Sequence, residues 1–268
     1  MTYEPEFYDA VTPASFAGDV EWYRRKAREA GGPVLELGAG TGRITLPLAQ
    51  DGVVVHALDA DARMLAALRS KVASEPSEVR DRITFVEADM RSFELSDRFA
   101  LVIAPFRAFL HNVTEEDQLA CLTRVRQHLR PDGAFAFNIF HPSLEFMSQN
   151  AGAFTSVWRA RGVFDREDGG CLVRSEAVRY DTVRQRLQAL QRYDEFASDG
   201  MLARSSLQRL ELAYLYPADI ERLLQRAGFT TIHIAGGFDG RPLAHDMDEL
   251  VIEARVSPNR PAFTFPGD

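Results

Sequence analysis

The sequence reads as a doubly wound, mostly parallel α/β protein with an antiparallel insertion, on three grounds. Up to about residue 142, short β-rich runs alternate with amphipathic stretches, which is the pattern of βαβ units. From about 143 to 214 the alternation stops, and turn signals separate segments without intervening helices. After 215 a helix and two strands close the chain's regular part. With 268 residues, 46% of them hydrophobic, the chain can bury a sizeable core.

Taken in order, residues 1–30 form an expected amino-terminal cap, with a helix from Asp19 to Ala30 whose Trp22, Tyr23 and Ala27 share one side. PVLELG is the first strand, and the helix after its glycines tolerates Pro47 because that residue falls near the first turn. VVVHALD is the second strand, followed by a helix with Met64, Leu65, Leu68 and Val72 inward. RITFVEAD and RFALVIAP are the third and fourth. Thr114 and Asp117, at capping-box spacing, open the next helix, which carries Leu119, Leu122, Val125 and Leu129 and stops at Pro131-Asp132-Gly133. AFAFNIF is the fifth strand.

The insertion, 143–214, has turn signals at Gly152, Gly162, Asp168-Gly169-Gly170 and Asp199-Gly200. SSLQRLELAYLY alternates, with Leu210, Leu212, Tyr214 and Tyr216 on one face, whereas RQRLQALQRYDEF suits strand or helix on propensity, strand being preferred. Its aromatics Phe154, Trp158, Phe164, Tyr180, Tyr193 and Phe196 suit a substrate cap or a face shared with a second copy in a homodimer. Pro217 then opens a helix with Ile220, Leu223, Leu224 and Ala227 inward, closed by Gly228. TTIHIAGGF and DELVIEARV are the last strands, and 257–268 is a proline-rich tail. The expected organisation is thus a core of 1–142 and 215–256 interrupted by 143–214.

Composition narrows the function. A formal charge of -8 disfavours a nucleic-acid partner. Two cysteines, Cys121 and Cys171, stand outside any CxxC, so neither a zinc site nor a disulfide framework is expected, and no metal site is read. MTYEPEFYDA lacks a basic region followed by an apolar core, and no apolar run approaches membrane-span length, so the expectation is a cytoplasmic protein without a membrane partner.

The chemistry centres on VLELGAGTGRIT. In a doubly wound sheet the loop after the first strand lies at the crevice where strand order reverses, and Gly38, Gly40 and Gly42 occupy it. A phosphate-cradling loop needs Lys-Ser or Lys-Thr after its last glycine, but Arg43-Ile44 follow Gly42. The dinucleotide fingerprint GxGxxG fails at Arg43. Asp59, ending the second strand, can accept both hydroxyls of a ribose, which suits a nicotinamide dinucleotide as well. Asp89, ending the third, can accept from an adenine amine. With Glu36 and the glycines they outline a nucleoside-shaped site without a phosphate signature.

These residues together resemble a class I S-adenosylmethionine-dependent methyltransferase of the small-molecule type. The resemblance rests on VLELGAGTGR, Asp59, EADM at Glu87 to Met90, LVIAPFRAFLHN at Leu101 to Asn112, HLRPDGAFAFNIF and LLQRAGF, and covers about 18–142 and 215–256. It implies a seven-stranded sheet of order 3-2-1-4-5-7-6 with the seventh strand antiparallel. It also implies S-adenosyl-L-methionine as cofactor and S-adenosyl-L-homocysteine as product. Gly38, Ala39 and Gly40 would line the methionine part, Asp59 and Ala60 the ribose, Asp89 and Met90 the adenine, and Pro105 the methyl; Glu36 orders the loop or reaches the ammonium through water.

The implied reaction is methylation of a nitrogen or oxygen on a small metabolite such as an amine, a sugar or a natural-product precursor. PFRAFLHN departs from the Asn-Pro-Pro-Tyr motif of nucleobase and glutamine methylation. Most of the acceleration would come from positioning, and an oxygen acceptor would need a base. Arg107 binds an acidic substrate group or pairs with a surface carboxylate. His111 is a base or a capping side chain. His141 points to the same mouth, and Tyr8 either folds over the cofactor or packs as an ordinary aromatic. His56, His128 and His233 read as structural. The rival readings are a non-catalytic S-adenosylmethionine-binding regulatory module and, third, a nicotinamide-dependent oxidoreductase.

Overall fold

The computed structural model describes residues 4–12, 18–151 and 158–256. Helices α1 (Pro5–Val11) and α2 (Asp19–Ala30) precede strand β1 (Val34–Leu37), helix α3 (Thr45–Gln50), β2 (Val55–Asp59), α4 (Ala62–Ala73), the short α5 (Ser77–Arg80) and β3 (Ile83–Glu87). β4 (Phe99–Ala104), a 3-10 turn (Ala108–His111), α6 (Glu115–His128), β5 (Leu129–Phe140) and α7 (Leu144–Gln149) follow. β6 (Arg159–Asp165), β7 (Cys171–Asp181), β8 (Arg186–Phe196) and β9 (Leu202–Ala213) come next, then α8 (Pro217–Arg226), β10 (Thr231–Ala235) and β11 (Glu249–Arg255). Two compact units result, one of Met1–Ala17 with Pro142–Tyr214, the other of Gly18–His141 with Leu215–Asp268. The sequence reading had put all of residues 1–30 with the core.

The larger unit is a seven-stranded sheet of order β10-β11-β5-β4-β1-β2-β3. β11 runs antiparallel to both neighbours and the other pairs are parallel, so the expected order with one reversed strand is found. β1 and β4 are buried throughout because helices cover both faces. On one face Trp22 and Tyr23 of α2 and Leu48 of α3 pack on Val34, Leu101, Ile103, Ala134 and Ala136. On the other, Phe135 stacks on Phe137 at 4.6 Å, with Phe109 and Phe229 beside them. All four rings are buried, each contributing roughly 1.5–3 kcal/mol of apolar burial.

Local chemistry sets the helix ends. Thr114 caps α6 by accepting the Asp117 N–H at 3.1 Å. α6 stops at His128, earlier than the sequence reading placed it, and Leu129 is already extended and paired with Phe99. The reason is Pro131, which bars helical geometry at Arg130. β3 likewise ends at Glu87, so Asp89 lies in the loop beyond it.

The smaller unit is an antiparallel sheet of order β6-β7-β8-β9. RQRLQALQRYDEF is strand β8, paired from Arg186 to Phe196 with β7 and with β9. β9 ends at Ala213, so Tyr214 and Tyr216 fall beyond the strand that was expected to include them; Tyr216 instead precedes α8 as its cap. In the same unit Phe7 of α1 stacks on Tyr193 of β8, with ring centroids 4.9 Å apart. Phe154 and the 257–268 tail lie outside the described residues. No helix among the described residues is long and apolar enough to cross a membrane.

Candidate active site

Strand order in the larger sheet reverses between β1 and β4, which pair through Val34–Leu101, Leu35–Val102 and Glu36–Ile103. In such a sheet a ligand binds beyond the carboxyl ends of these two strands, and the glycine loop follows β1 at that edge. The Gly38 and Ala39 amides both donate to the Leu58 carbonyl, at 2.8 and 2.9 Å, tying the loop to β2. Gly38 has φ +71°, and a Cβ there would sit 2.9 Å from the Ala108 Cβ and 3.9 Å from the Met90 Cε. The loops after β1, β3 and β4 therefore converge on one residue without a side chain.

Asp59, at the end of β2, accepts the Gly40 N–H on Oδ2 and the Asp61 N–H on Oδ1, each at 2.8 Å. Burial raises its carboxyl above the ordinary range, against the pull of the Asp61, Gly40 and Ala60 amides. Each oxygen keeps a second lone pair, so a diol can still be bound. Ala60 beside it is exposed. Asp89 is engaged differently, by the Arg91 backbone and guanidinium, at 2.8 and 2.9 Å on Oδ1 and 2.5 Å on Oδ2. Arg91 lowers its pKa, and of roughly four carboxylate acceptor sites one is left for a ligand.

Glu36 is 2% exposed, and the Thr45 hydroxyl donates to its Oε2. Burial raises its pKa from 4.5 to about 8, with the nearby Asp59 adding to the rise. The folded state thus prefers the neutral acid, and the contribution of Glu36 to folding stability is fully present below about 4.5 and is lost as pH climbs towards about 8. Replacing Glu36 by Gln is expected to remove this loss, roughly 3–5 kcal/mol at about 1.4 kcal/mol per pKa unit. Thermal melts of the cofactor-free protein from pH 5 to 8.5 check it; parallel profiles for wild type and Glu36→Gln would contradict it.

After β4, Pro105 is buried, and Phe106 and Arg107 both have positive φ, 54° and 66°. Such non-glycine conformations cost about 1–3 kcal/mol each and persist only where the surroundings enforce them. Arg107 donates to Glu249, Nε to Oε1 at 3.2 Å and Nη2 to Oε2 at 2.7 Å. The partner is a half-buried carboxylate and not a surface one. His111 is half-buried in the 3-10 turn, and burial lowers its pKa to about 4, so the imidazole is neutral at ordinary pH. Asn112 fixes Met90, its amide 3.3 Å from the sulfur, and donates to the Phe109 carbonyl at 2.9 Å.

His141 follows β5 on the same sheet edge, its ring 6.0 Å from that of Tyr216, and its buried Nδ1 has no hydrogen-bond partner among the described residues. Tyr8 belongs to α1, in the smaller unit. Cys121 is buried, with its thiol pushed to about 12, and is no nucleophile. No group of three or more metal-ligating side chains occurs among the described residues.

The sequence reading missed three supports. Arg43 pairs with the buried Asp19 at the start of α2, Nη2 to Oδ1 at 2.8 Å, and its guanidinium lies 5.6 Å from the Phe106 ring centroid. Arg91 holds Asp89, which an arginine two residues after a strand-end aspartate could have signalled. Asn138, a lone polar residue inside the apolar run AFAFNIF, is fully buried and has donors and acceptors on three elements.

With that geometry in hand, comparison with known proteins is informative. A family described as a methyltransferase domain matches residues 34–133. A cypemycin N-terminal methyltransferase of Streptomyces sp. is 32% identical over 52% of this chain and 55% of its own. An uncharacterized methyltransferase of Geobacillus kaustophilus is 31% identical over 61% of this chain and 71% of its own. The structure of the CcbJ methyltransferase from Streptomyces caelestis superposes with a TM-score of 0.74, 26% identity, and coverage of 91% of this chain and 97% of that one. The matched region spans about half the length of the first curated relatives, 42% to 58% of theirs.

Proposed function

This chain belongs to the class I S-adenosylmethionine-dependent methyltransferases, and from that membership we propose that it methylates an amine nitrogen of a small, natural-product type acceptor. The observation that carries the reading is the convergence of three loops on Gly38, flanked by free acceptor positions on Asp59 and Asp89. A ligand lying on that backbone meets carboxylates and amides, while Lys71 is engaged by the Thr41 carbonyl at 3.1 Å, which suits a cationic nucleoside. The cofactor supplies a methyl already activated on a sulfonium.

The chain's own residues then bind and orient. Asp59 accepts the ribose hydroxyls beside Ala60, Asp89 accepts from the adenine amine, and Met90 packs on the base. Gly38, Ala39 and Gly40 would admit the methionine portion, and Glu36 would be the acidic group available to its ammonium. Pro105 bounds the site of transfer, where exclusion of water and alignment of the acceptor supply most of the acceleration. An amine needs only to arrive neutral. The N-methylated product can give its proton to solvent after transfer, so His111, uncharged because it is buried, and His141, with its unsatisfied Nδ1, serve as hydrogen-bonding groups for the acceptor and not as required bases. Nitrogen is preferred over oxygen because a base of pKa about 4 is too weak to help an alcohol, and because the Streptomyces sp. relative is named for N-terminal methylation.

Calorimetry with S-adenosylmethionine and S-adenosylhomocysteine, followed by transfer of a labelled methyl to a panel of amine and hydroxyl compounds, tests both levels. Binding and label in amines are expected. Absence of binding to either compound would refute the cofactor assignment, and label confined to hydroxyl acceptors would replace nitrogen by oxygen.

A further inference from the structure

The loop that bounds the site of transfer is held from beneath by one side-chain amide. Asn138, on β5, is fully buried. Its Oδ1 accepts the Phe106 N–H at 2.9 Å and the Tyr23 hydroxyl at 2.8 Å. Its Nδ2 donates to Glu249 Oε1 at 2.6 Å. Glu249 is the carboxylate that also takes both nitrogens of the Arg107 fork. One amide thus links the backbone of the first left-handed residue to the anchor of the second.

The identities of these partners fix which way the amide points. The Phe106 N–H can only donate, so it must meet the oxygen; Glu249, as a carboxylate, can only accept, so it must meet the nitrogen. Aspartate would still offer an oxygen, but facing Glu249 with a like charge it would be pushed away and its contact with the Phe106 N–H lost. Leucine would leave a backbone amide, a phenol and a carboxylate without their buried partner. From above, Arg43 lies over the Phe106 ring, so the turn is gripped on both sides.

We propose that Asn138 is a positioning residue for methyl transfer: through the Phe106 amide and Glu249 it sets the left-handed turn that carries Pro105 into the site. It acts through that turn and contacts neither cofactor nor acceptor. The inference rests on the methyl-transfer reading above and adds a residue which that reading does not use.

The test uses the full-length wild type, Asn138→Asp, Asn138→Leu, and the pair Asn138→Asp with Glu249→Gln, which moves one negative charge and restores an amide opposite a carboxylate. Four readouts are compared: S-adenosylhomocysteine affinity by calorimetry, hydrogen exchange of the Phe106 amide by NMR, kcat and KM for the amine that wild type methylates best. In Asn138→Asp, kcat is expected to fall about 100-fold, the scale of a small misplacement of the reacting groups. Phe106 exchange should accelerate about tenfold, the worth of one hydrogen bond. S-adenosylhomocysteine affinity should stay within about threefold, because the substituted group is not in contact with the ligand.

The double variant should regain kcat to within about tenfold of wild type. If Asn138→Leu fails to fold, the Asp and paired variants still decide. Unchanged kcat and exchange in Asn138→Asp would overturn the proposal, and so would an affinity loss as large as the kcat loss with no recovery in the pair. If wild type binds S-adenosylhomocysteine but labels no acceptor, the methyl-transfer reading fails. Phe106 exchange then shows separately whether Asn138 holds the turn, and unchanged exchange in Asn138→Asp refutes it.

Discussion

Asp59→Ala is expected to weaken S-adenosylhomocysteine binding about 100-fold or more, because hydrogen bonds to a charged partner contribute roughly 1.5–3 kcal/mol each and two ribose hydroxyls lose theirs. The same carboxylate also receives the Gly40 and Asp61 amides at 2.8 Å, so its removal loosens the loop as well as the ligand. Asp59→Asn separates the two effects. It keeps one oxygen for the loop or the ribose and should fall between wild type and alanine. Calorimetry at constant pH and salt measures both variants; affinity within threefold of wild type for Asp59→Ala would remove Asp59 from the cofactor site.

Gly38→Val is expected to abolish detectable S-adenosylhomocysteine binding. The residue has φ +71°, where a β-branched side chain is strained, and even the first carbon of that side chain would lie 2.9 Å from the Ala108 Cβ. The glycine loop and the turn after β4 would be forced apart at the point where the ligand must enter. Gly52→Ala is the matching control, since Gly52 has φ +90° but nothing within 4 Å of an added Cβ. It should lower stability by about 1–2 kcal/mol, the cost of a left-handed alanine, and leave binding intact. If both variants bind alike, the close approach at Gly38 plays no part in recognition.

The sheet was legible because its strands announce themselves locally. VLEL and FALVIA are apolar runs bounded by turns, and the glycines and Asp59 mark strand ends at which a ligand could sit, with Asp89 in the loop just past a third. β8 was harder: RQRLQALQRYDEF has no decisive period, and its state is fixed by pairing with β7 and β9 on either side. The far end of α6 was misjudged by a few residues because the proline acts on the residue before it. The long-range contacts among the supports of the site were not legible. Asn138 meets Tyr23 and Glu249 across 115 and 111 residues, and Arg107 meets Glu249 across 142, so no local pattern encodes those contacts. Asn138 could still have been noticed, since an asparagine inside AFAFNIF must find partners if the strand is buried.

The Phe7–Tyr193 stack has a consequence in time. Helix α1 leaves the ribosome before β8, which supplies Tyr193 and follows some 180 residues later, roughly 10–40 s behind at about 5–20 residues per second. Throughout that interval Phe7 has no sheet to lie on. The smaller unit must therefore assemble from its hairpins first and recruit its earliest-made helix last, so nascent chains halted before β8 should leave α1 open to proteases.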